Sequence, residues 1–288
     1  MFFIQNRCFC ITRSLHSGAA TLIILLHLST SAAGAGNRDI NLVYDISWGA
    51  VQLAEARSEW QVQDDKAVIL GTVKSDGLAK RLLEFHSASS AELDLIDGEW
   101  KPVFLSLSRV TKSKQVASSV HWSGTGNILS DVQFPPLDLN EVFPISDPLK
   151  HRVIDPYSAL MRQLEHIADF GRCSGSYEVY DGLRRFSIKF DTIGTTSLEA
   201  DRPYSFTGHA LQCTVAVTPK GGHRIASEWH KKPVEERQAN VFFGYFSGGL
   251  ILPVRIEINA RIGTGIARLD TIQSQIHGES MRQHFLAD

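Results

Sequence analysis

The strongest pattern in the sequence is an alternation of apolar and polar residues that begins near residue 40. Every second residue of the first stretch is apolar, in the order Ile40, Leu42, Tyr44, Ile46 and Trp48. Gly49 ends this stretch, and the alternation returns between residues 54 and 62. A period of two is typical of a strand with one face on a core and the other in water. Such strands belong to antiparallel sheets, because parallel strands are usually buried on both faces.

Further stretches of this character predict more strands along the chain. Before residue 134 they lie at residues 66–75, 87–96, 101–112, 115–123 and 127–133. After residue 173 they lie at residues 204–217, 223–231, 239–246, 250–260 and 265–273. Asp97-Gly98 and Asp181-Gly182 predict tight hairpin turns, since both dipeptides favour the positive φ angles of two-residue turns. Gly263-Thr264-Gly265 predicts the last turn.

Two short helices are predicted between the strands. The first follows Gly77 and includes the apolar residues Leu78, Leu82, Leu83 and Phe85. The second begins at Asp155-Pro156, because aspartate accepts hydrogen bonds from free backbone N–H groups and proline tolerates the first helical position. Its apolar stripe, which we expect to cover one face or mouth of the sheet, is Leu160, Met161, Leu164 and Ile167. Residues 134–154 contain four prolines and predict a long loop.

These elements predict a mainly β protein, with an antiparallel curved sheet or half-open β-barrel and one or two short helices. All-β sandwiches and barrels often use more than about 200 residues as one domain. We therefore expect residues 36–273 to form a single antiparallel β domain. Residues 274–288 are polar and predict a flexible, frayed tail.

Residues 1–35 have the three-part layout of a cleavable secretory signal. Arg7 and Arg13 supply positive charge, an apolar run occupies residues 19–28, and Ala33-Gly34-Ala35 matches the small-residue cleavage pattern. A membrane-spanning helix needs about 20 apolar residues, roughly twice the length of this run. We therefore expect an exported, periplasmic protein with no transmembrane segment after signal cleavage.

The charge balance excludes one class of partner. The chain has 29 Lys and Arg against 31 Asp and Glu, for a formal net charge of −2. Loss of residues 1–35 removes two positive charges and no negative ones, which makes the net charge −4. Because the chain has no basic stripe, nucleic acid is not an expected partner.

Signal cleavage also leaves two of the four cysteines, Cys173 and Cys213. In an oxidising compartment such a pair favours a disulfide. The bond would stabilise the fold by about 3–4 kcal/mol in the chain-entropy model. The alternative is a pair of buried free thiols.

The sequence motifs indicate no catalytic site and no cofactor. Residues 171–175 match G-x-C-x-G, which resembles the nucleophile elbow of α/β-hydrolases that use cysteine. That elbow needs a strand before the nucleophile and a helix after it. Here the predicted order is reversed. Residues 124–126 and 263–265 resemble fragments of nucleotide-binding loops without the strand and helix that such loops need. Hairpin turns account for both.

Two groups of candidate metal ligands have simpler structural explanations, so no metal site is expected. The first group is His209, His223, Glu228 and His230. It lacks the spacing of a helical zinc site, and a solvated β surface accounts for it; a surface metal site is the alternative. The second group is Asp138, Asp147 and Asp155. It lacks the spacing of an EF-hand loop, and capping or turn roles account for it.

The tryptophans allow two interpretations. They fall in predicted strands or at strand edges, at Trp48, Trp60, Trp100, Trp122 and Trp229. Aromatic residues of β proteins usually belong to the core. In an incompletely closed barrel they could instead line a lipophilic pocket.

Several local landmarks occur in a distinctive order. They are Tyr44, Trp48-Gly49, Gly77-Leu78, Asp155-Pro156-Tyr157-Ser158, Cys173-Ser174-Gly175, Asp181-Gly182, Arg185-Phe186, Cys213 and Leu252-Pro253-Val254. This order resembles the bacterial envelope family called domain of unknown function 3108, over about residues 40–273. The resemblance implies a bacterial periplasmic protein with an antiparallel, half-open β-barrel-like fold. It implies no activity.

Three functions are compatible with these observations. The first is a non-enzymatic β scaffold that binds a lipophilic or polymeric envelope ligand inside the curved sheet. The second is an interaction module for envelope assembly, which binds another protein through a sheet edge or through residues 134–154. The third and least favoured is a periplasmic hydrolase, which would need a base within hydrogen-bond reach of a nucleophile.

Overall fold

One antiparallel sheet accounts for most of the described chain. The computed structural model describes residues 37–77, 79–82, 84–225, 237–260, 263–276 and 279–285. The expected signal peptide at residues 1–35 lies outside the described residues. Glu228, Trp229 and His230 also lie outside them.

Fourteen strands make up the sheet. The first seven are β1 (Arg38–Trp48), β2 (Val51–Gln63), β3 (Lys66–Ser75), β4 (Phe85–Ile96), β5 (Glu99–Thr111), β6 (Gln115–Trp122) and β7 (Ile128–Phe134). The others are β8 (Ser174–Tyr180), β9 (Arg185–Leu198), β10 (Gly208–Gly221), β11 (Arg237–Tyr245), β12 (Ile251–Ala260), β13 (Gly263–Ile276) and β14 (Glu279–His284). The named strands pair antiparallel with their neighbours, which confirms the predicted fold class.

The order of the strands leaves the sheet open. It runs from β7 through β6, β5, β4, β3 and β2 to β1, and then from β13 through β12, β11, β10 and β9 to β8. β1 therefore lies in the middle, paired with β2 on one side and with β13 on the other. β14 pairs with β13 beyond the residues that β12 covers. In the described chain, the two end strands β7 and β8 do not pair with each other.

The longest helix, α2 (Pro156–Phe170), forms where the sequence predicts it. Asp155 accepts hydrogen bonds from the backbone N–H groups of Tyr157 and Ser158, which would otherwise be unpaired in the first turn. Gly171 ends the helix with a φ of 64°, a left-handed conformation that glycine adopts at low cost. Local sequence signals therefore set both ends of this helix.

Hydrogen bonds fasten α2 to β5. Trp100 Nε1 donates to Glu165 Oε1 at 2.6 Å, and Arg162 Nε donates to the Trp100 carbonyl at 2.7 Å. Arg162 also forms an ion pair with Glu99 at 3.0 Å. Trp100 is 1% exposed, so its indole N–H needs this partner. The apolar stripe of the helix thus lies against the sheet, as predicted.

The other helical segments are short. They are α1 (Ala79–Leu82) and the 3₁₀ turns Asp147–Lys150 and Ser247–Gly249. The first predicted helix is shorter than expected, because Phe85 already belongs to β4. None of the helices in the described part of the chain has the length and apolar character that crossing a bilayer requires.

In the first half of β1 and in β2 the alternation in the sequence corresponds to an alternation of burial, whereas Ser47, on the polar side of β1, is also buried. The predicted core residues of β1 and β2 with the lowest exposure are Ile40, Leu42, Trp60 and Val62. Trp100 and Trp122 join the same buried cluster, and Trp48 is partly buried. Three of the described tryptophans therefore belong to the core, which favours core packing over the lining of a lipophilic pocket.

A disulfide joins Cys173 and Cys213, and both side chains are buried. Cys213 lies on β10 and Cys173 directly precedes β8, so the bond passes over the intervening strand β9. Thr192 of β9 donates through Oγ1 to the Cys173 carbonyl at 2.9 Å and accepts from the Cys173 N–H at 2.7 Å. The bond ties the end strand β8 to the interior of the sheet. It also leaves Cys173 without a thiol for the nucleophilic role.

The C-terminal segment differs from the flexible tail predicted for residues 274–288. β13 continues to Ile276, and β14 pairs with its last residues. Phe285 is buried, and its ring centroid lies 5.6 Å from that of Phe206 and 6.3 Å from that of Phe246. Polar side chains do not prevent this pairing, since the backbone supplies the hydrogen bonds.

Candidate binding site at the open side of the sheet

Side chains, rather than backbone pairs, connect the two end strands of the sheet. The Tyr180 hydroxyl donates to Asp131 Oδ2 at 2.5 Å, and Gln133 Nε2 donates to the Gly182 carbonyl at 2.5 Å. We call this line of contacts between Asp131, Gln133, Tyr180 and Gly182 the seam. The ends of the open sheet therefore meet through a few polar contacts instead of a continuous ladder.

Residues 135–155, which we call the covering segment, lie against the seam. Val142 forms an isolated antiparallel bridge with Arg224, and Ile154 forms a parallel bridge with Val179 of β8. Between these two attachments the chain is irregular apart from one 3₁₀ turn, as its prolines predict.

Two basic residues fasten the covering segment to the end strands. Lys150 Nζ forms an ion pair with Asp131 at 2.7 Å, and Arg185 Nε donates to the Leu149 carbonyl at 2.7 Å. Burial raises the pKa of the Tyr180 hydroxyl, and the hydrogen bond to Asp131 raises it further. Tyr180 therefore stays protonated and keeps donating to the carboxylate.

Two adjoining cavities are lined by the covering segment. The first has a volume of about 400 Å³ and the second about 380 Å³. Both fall in the range of roughly 300–1,000 Å³ that is common for ligand pockets. Pro136, Leu137 and Val142 line both cavities. Because of these shared walls, one elongated ligand could occupy both.

The second cavity has both apolar and polar lining residues. In addition to the three shared residues, four apolar residues of the covering segment line it, namely Leu139, Phe143, Pro144 and Ile145. Among the polar lining residues, Lys150 and Tyr180 both bond to Asp131. Contacts with a ligand would come mainly from the apolar residues, and the hydrophobic effect would drive them.

The first cavity is lined by more cations than anions. Its basic residues are Arg109, Lys114, Arg184 and Arg224, and its acidic residues are Asp138 and Glu141. Partial burial lowers the pKa of the Arg109 guanidinium, and the positive charges of Arg184 and Arg224 lower it further, while Asp181 opposes them. The basic side chains therefore lie close enough to repel one another.

The candidate metal ligands do not form a metal site in the described structure. His223 lines the first cavity, whereas His209 is exposed on β10. Asp138 accepts hydrogen bonds from Asn140, and Asp155 caps α2. Among the residues that the structure describes, no group of three His, Cys, Asp or Glu side chains could hold a metal ion.

Arg109 was not predicted as a site residue from the sequence, although its place in an alternating apolar row was a usable signal. Leu105, Leu107 and Arg109 alternate along one face of β5, where Leu105 is buried, Leu107 half-buried and Arg109 exposed, and Arg109 pairs with Val116 of β6. A charged residue that continues an apolar face is unusual and could have marked the cavity. Arg224 offered no comparable signal, since it follows a strand.

Exposed apolar side chains surround the edge strand β7. They are Leu129, Val132, Phe134 and Leu139. Single exposed apolar residues are common, but a group of them often marks an interaction surface.

Comparisons with known proteins give a family and one structural likeness. A family model described as "Protein of unknown function (DUF3108)" matches residues 43–270. Among solved structures, the chain is similar to a beta-barrel-like protein of the domain of unknown function DUF1849 from Brucella abortus. That similarity has 9% sequence identity and a TM-score of 0.41, over 81% of this chain and 96% of that chain. A comparison with curated proteins gives no match.

Proposed function

The chain belongs to the DUF3108 family of proteins of unknown function, and we propose that it is an exported, non-enzymatic β scaffold that binds a lipophilic ligand. The ligand would lie across the two cavities beside the covering segment. The observation that carries this proposal is the apolar wall shared by both cavities, formed by Pro136, Leu137 and Val142.

The hydrophobic effect is large enough for such binding. Each CH₂ group removed from water contributes about 0.8 kcal/mol. A chain of about ten carbons therefore offsets a substantial part of the cost of association, which is on the order of 4–15 kcal/mol. Longer envelope lipids and polymers with apolar segments fit the same argument, because the cavities adjoin.

Binding fits the lining of the cavities better than catalysis does. The described lining residues of both cavities include no serine, threonine or cysteine. A hydroxyl or thiol nucleophile of those types is therefore not available within that lining. The hydroxyl of Tyr180 is engaged by Asp131 at 2.5 Å.

Export to the periplasm is the second part of the proposal. It is supported by the layout of residues 1–35 and by the disulfide between Cys173 and Cys213, since disulfides persist in oxidising compartments. The expected mature protein begins at Gly36. Cell fractionation and the intact mass of the recovered protein test this, and a cytoplasmic protein that retains residues 1–35 would contradict it.

A substitution in the shared wall tests ligand binding. We expect the variant Leu137→Trp to lower the affinity for the neutral apolar probe N-phenyl-1-naphthylamine by about tenfold or more, because the indole fills space between the cavities. Val51→Trp is the matched control, since Val51 is exposed on β2 and lines neither cavity. Thermal unfolding of both variants checks that they fold. Equal probe binding by folded Leu137→Trp and wild type would refute the proposal.

An interaction module for envelope assembly is the alternative function. The exposed apolar residues beside β7 favour it, because an extended segment of another protein could add to this edge. The variant Val132→Lys separates the two functions, since Val132 lines neither cavity. Loss of protein association in this variant, with probe binding unchanged, would favour the alternative.

A further inference from the structure

We propose that the first cavity recognises the anionic group of an amphiphilic ligand, with a phosphate or carboxylate held by Arg109 and Arg224. This inference rests on the proposed function and adds the charge of the ligand to it. The apolar part of the ligand would then extend along Pro136, Leu137 and Val142 into the second cavity.

Arg109 lies near the end of β5, among uncharged neighbours. It follows Leu105 and Leu107 on the same face of β5, where the row leaves the core and the side chain becomes exposed, and it pairs with Val116 on β6 and Ser87 on β4. None of these four neighbours carries a charge. In the described chain no carboxylate forms an ion pair with Arg109, so its guanidinium is available to a ligand.

The charges that face Arg109 come from distant parts of the chain. Arg184 lies in the turn between β8 and β9, and Arg224 follows β10. Both lower the pKa of Arg109 through repulsion. An anion placed among these guanidinium groups would relieve the repulsion, and the planar forks of arginine match the oxygens of phosphate and carboxylate.

The neighbouring carboxylates only partly offset this charge. Asp181 is buried and binds Arg184 at 2.7 Å, which holds that guanidinium in place. Asp138 accepts hydrogen bonds from Asn140, and Glu141 lines the same cavity. With Asp181 included, four basic residues still face three carboxylates.

The pairing of a basic cavity with an apolar one defines the ligand class. Inorganic phosphate would satisfy the arginines and leave the apolar wall without a contact. A neutral alkyl chain would cover the wall and leave the arginines without a partner. An alkyl phosphate or a long-chain carboxylate satisfies both.

Three ligands test this assignment with the full mature protein. They are decyl phosphate, 1-decanol and inorganic phosphate, each measured by displacement of N-phenyl-1-naphthylamine or by calorimetry. We expect decyl phosphate to bind at least tenfold more tightly than decanol, because charge-assisted hydrogen bonds to arginine are the stronger kind. Added salt should weaken the binding of decyl phosphate and leave that of decanol nearly unchanged.

Substitution of Arg109 tests the residue itself. Arg109→Gln should reduce the preference for decyl phosphate over decanol by about tenfold and change decanol binding by less than twofold. Arg282→Gln is the matched control, since Arg282 is exposed on β14 and lines neither cavity. Arg224→Gln should act as Arg109→Gln does.

The outcomes separate this inference from the proposed function. Equal binding of decyl phosphate and decanol, or an unchanged preference in Arg109→Gln, overturns the anionic assignment and leaves the lipophilic ligand standing. Inorganic phosphate that binds as tightly as decyl phosphate overturns the amphiphile in favour of free phosphate. Failure of both decyl ligands to bind overturns the proposed function as well.

Discussion

Replacement of Asp155 should make the protein's stability less dependent on pH. Asp155 is fully buried at the start of α2. Burial raises the pKa of its carboxyl from the ordinary value of 3.8 to about 6, although hydrogen bonds from Ser158 and Tyr157 act in the opposite direction. A carboxyl with a raised pKa contributes stability that is fully present below about pH 3.8 and is lost as the pH rises through about 6.

The magnitude follows from these two pKa values. The shift of about two units corresponds to about 3 kcal/mol between strongly acidic and neutral pH, at 1.36 kcal/mol per unit. Between pH 5 and pH 7.5 the loss is about 1.4 kcal/mol by the same relation. Asparagine has no charge to bury and still accepts a hydrogen bond at the first turn. Asp155→Asn should therefore be at least as stable as wild type at pH 7.5, and its advantage should shrink at pH 5.

Equilibrium urea unfolding, followed by tryptophan fluorescence at both pH values, measures this difference. The variant must be compared with wild type at each pH, because other groups also make the stability depend on pH. Burial raises the pKa of the Asp201 carboxyl, but Arg268 and Arg255 lower it by more. Asp201 therefore contributes stability that is lost as the pH falls, the opposite of Asp155. Asp97→Asn is the matched control, since the Asp97 side chain is 87% exposed. A stability difference between Asp155→Asn and wild type that is the same at both pH values would refute the reasoning.

Two further predictions concern the scaffold. Cys173→Ser with Cys213→Ser should lower the free energy of unfolding by about 4 kcal/mol for a separation of 40 residues, and urea unfolding without reductant checks this. The mass of the denatured mature protein, which lacks Cys8 and Cys10, should also show no reaction with a thiol reagent. Gly71→Ala should cost about 1–3 kcal/mol, because the added Cβ would lie 2.6 Å from both Ser89 Oγ and the Tyr157 hydroxyl. Combining it with Tyr157→Phe should restore part of that loss, and no restoration would count against the contact.

Local patterns in the sequence determined most of the elements. The alternation predicts the buried side of β1 correctly at Ile40 and Leu42, because neighbouring side chains of a strand point to opposite faces. Beyond the register shift between Val43 and Tyr44, Ser47 of the polar side is buried as well. Asp155 and Gly171 likewise determine where α2 begins and ends, since both act through bonds within one turn. Such signals need no knowledge of the rest of the chain.

The sequence did not predict β14, because this strand forms through backbone pairing and lacks an alternating apolar pattern. The mainly polar residues from Glu279 to His284 pair with β13 although they show no apolar alternation. Met281 and Phe285 are apolar, but the partners of Phe285, which are Phe206 and Phe246, are far away in sequence. Ladder formation depends on which strand is adjacent, and that neighbour is chosen by the whole fold.

The candidate site was decided only by the tertiary structure. Arg109, Arg184 and Arg224 lie on three segments that meet because β7 and β8 are the two ends of one open sheet. The sequence alone determined the strands, the capped helix and the pair of cysteines, since each depends on residue type and short spacing. It could not determine β14 or the cavities, because strand pairing, charge repulsion and shared apolar walls depend on residues that the chain separates widely.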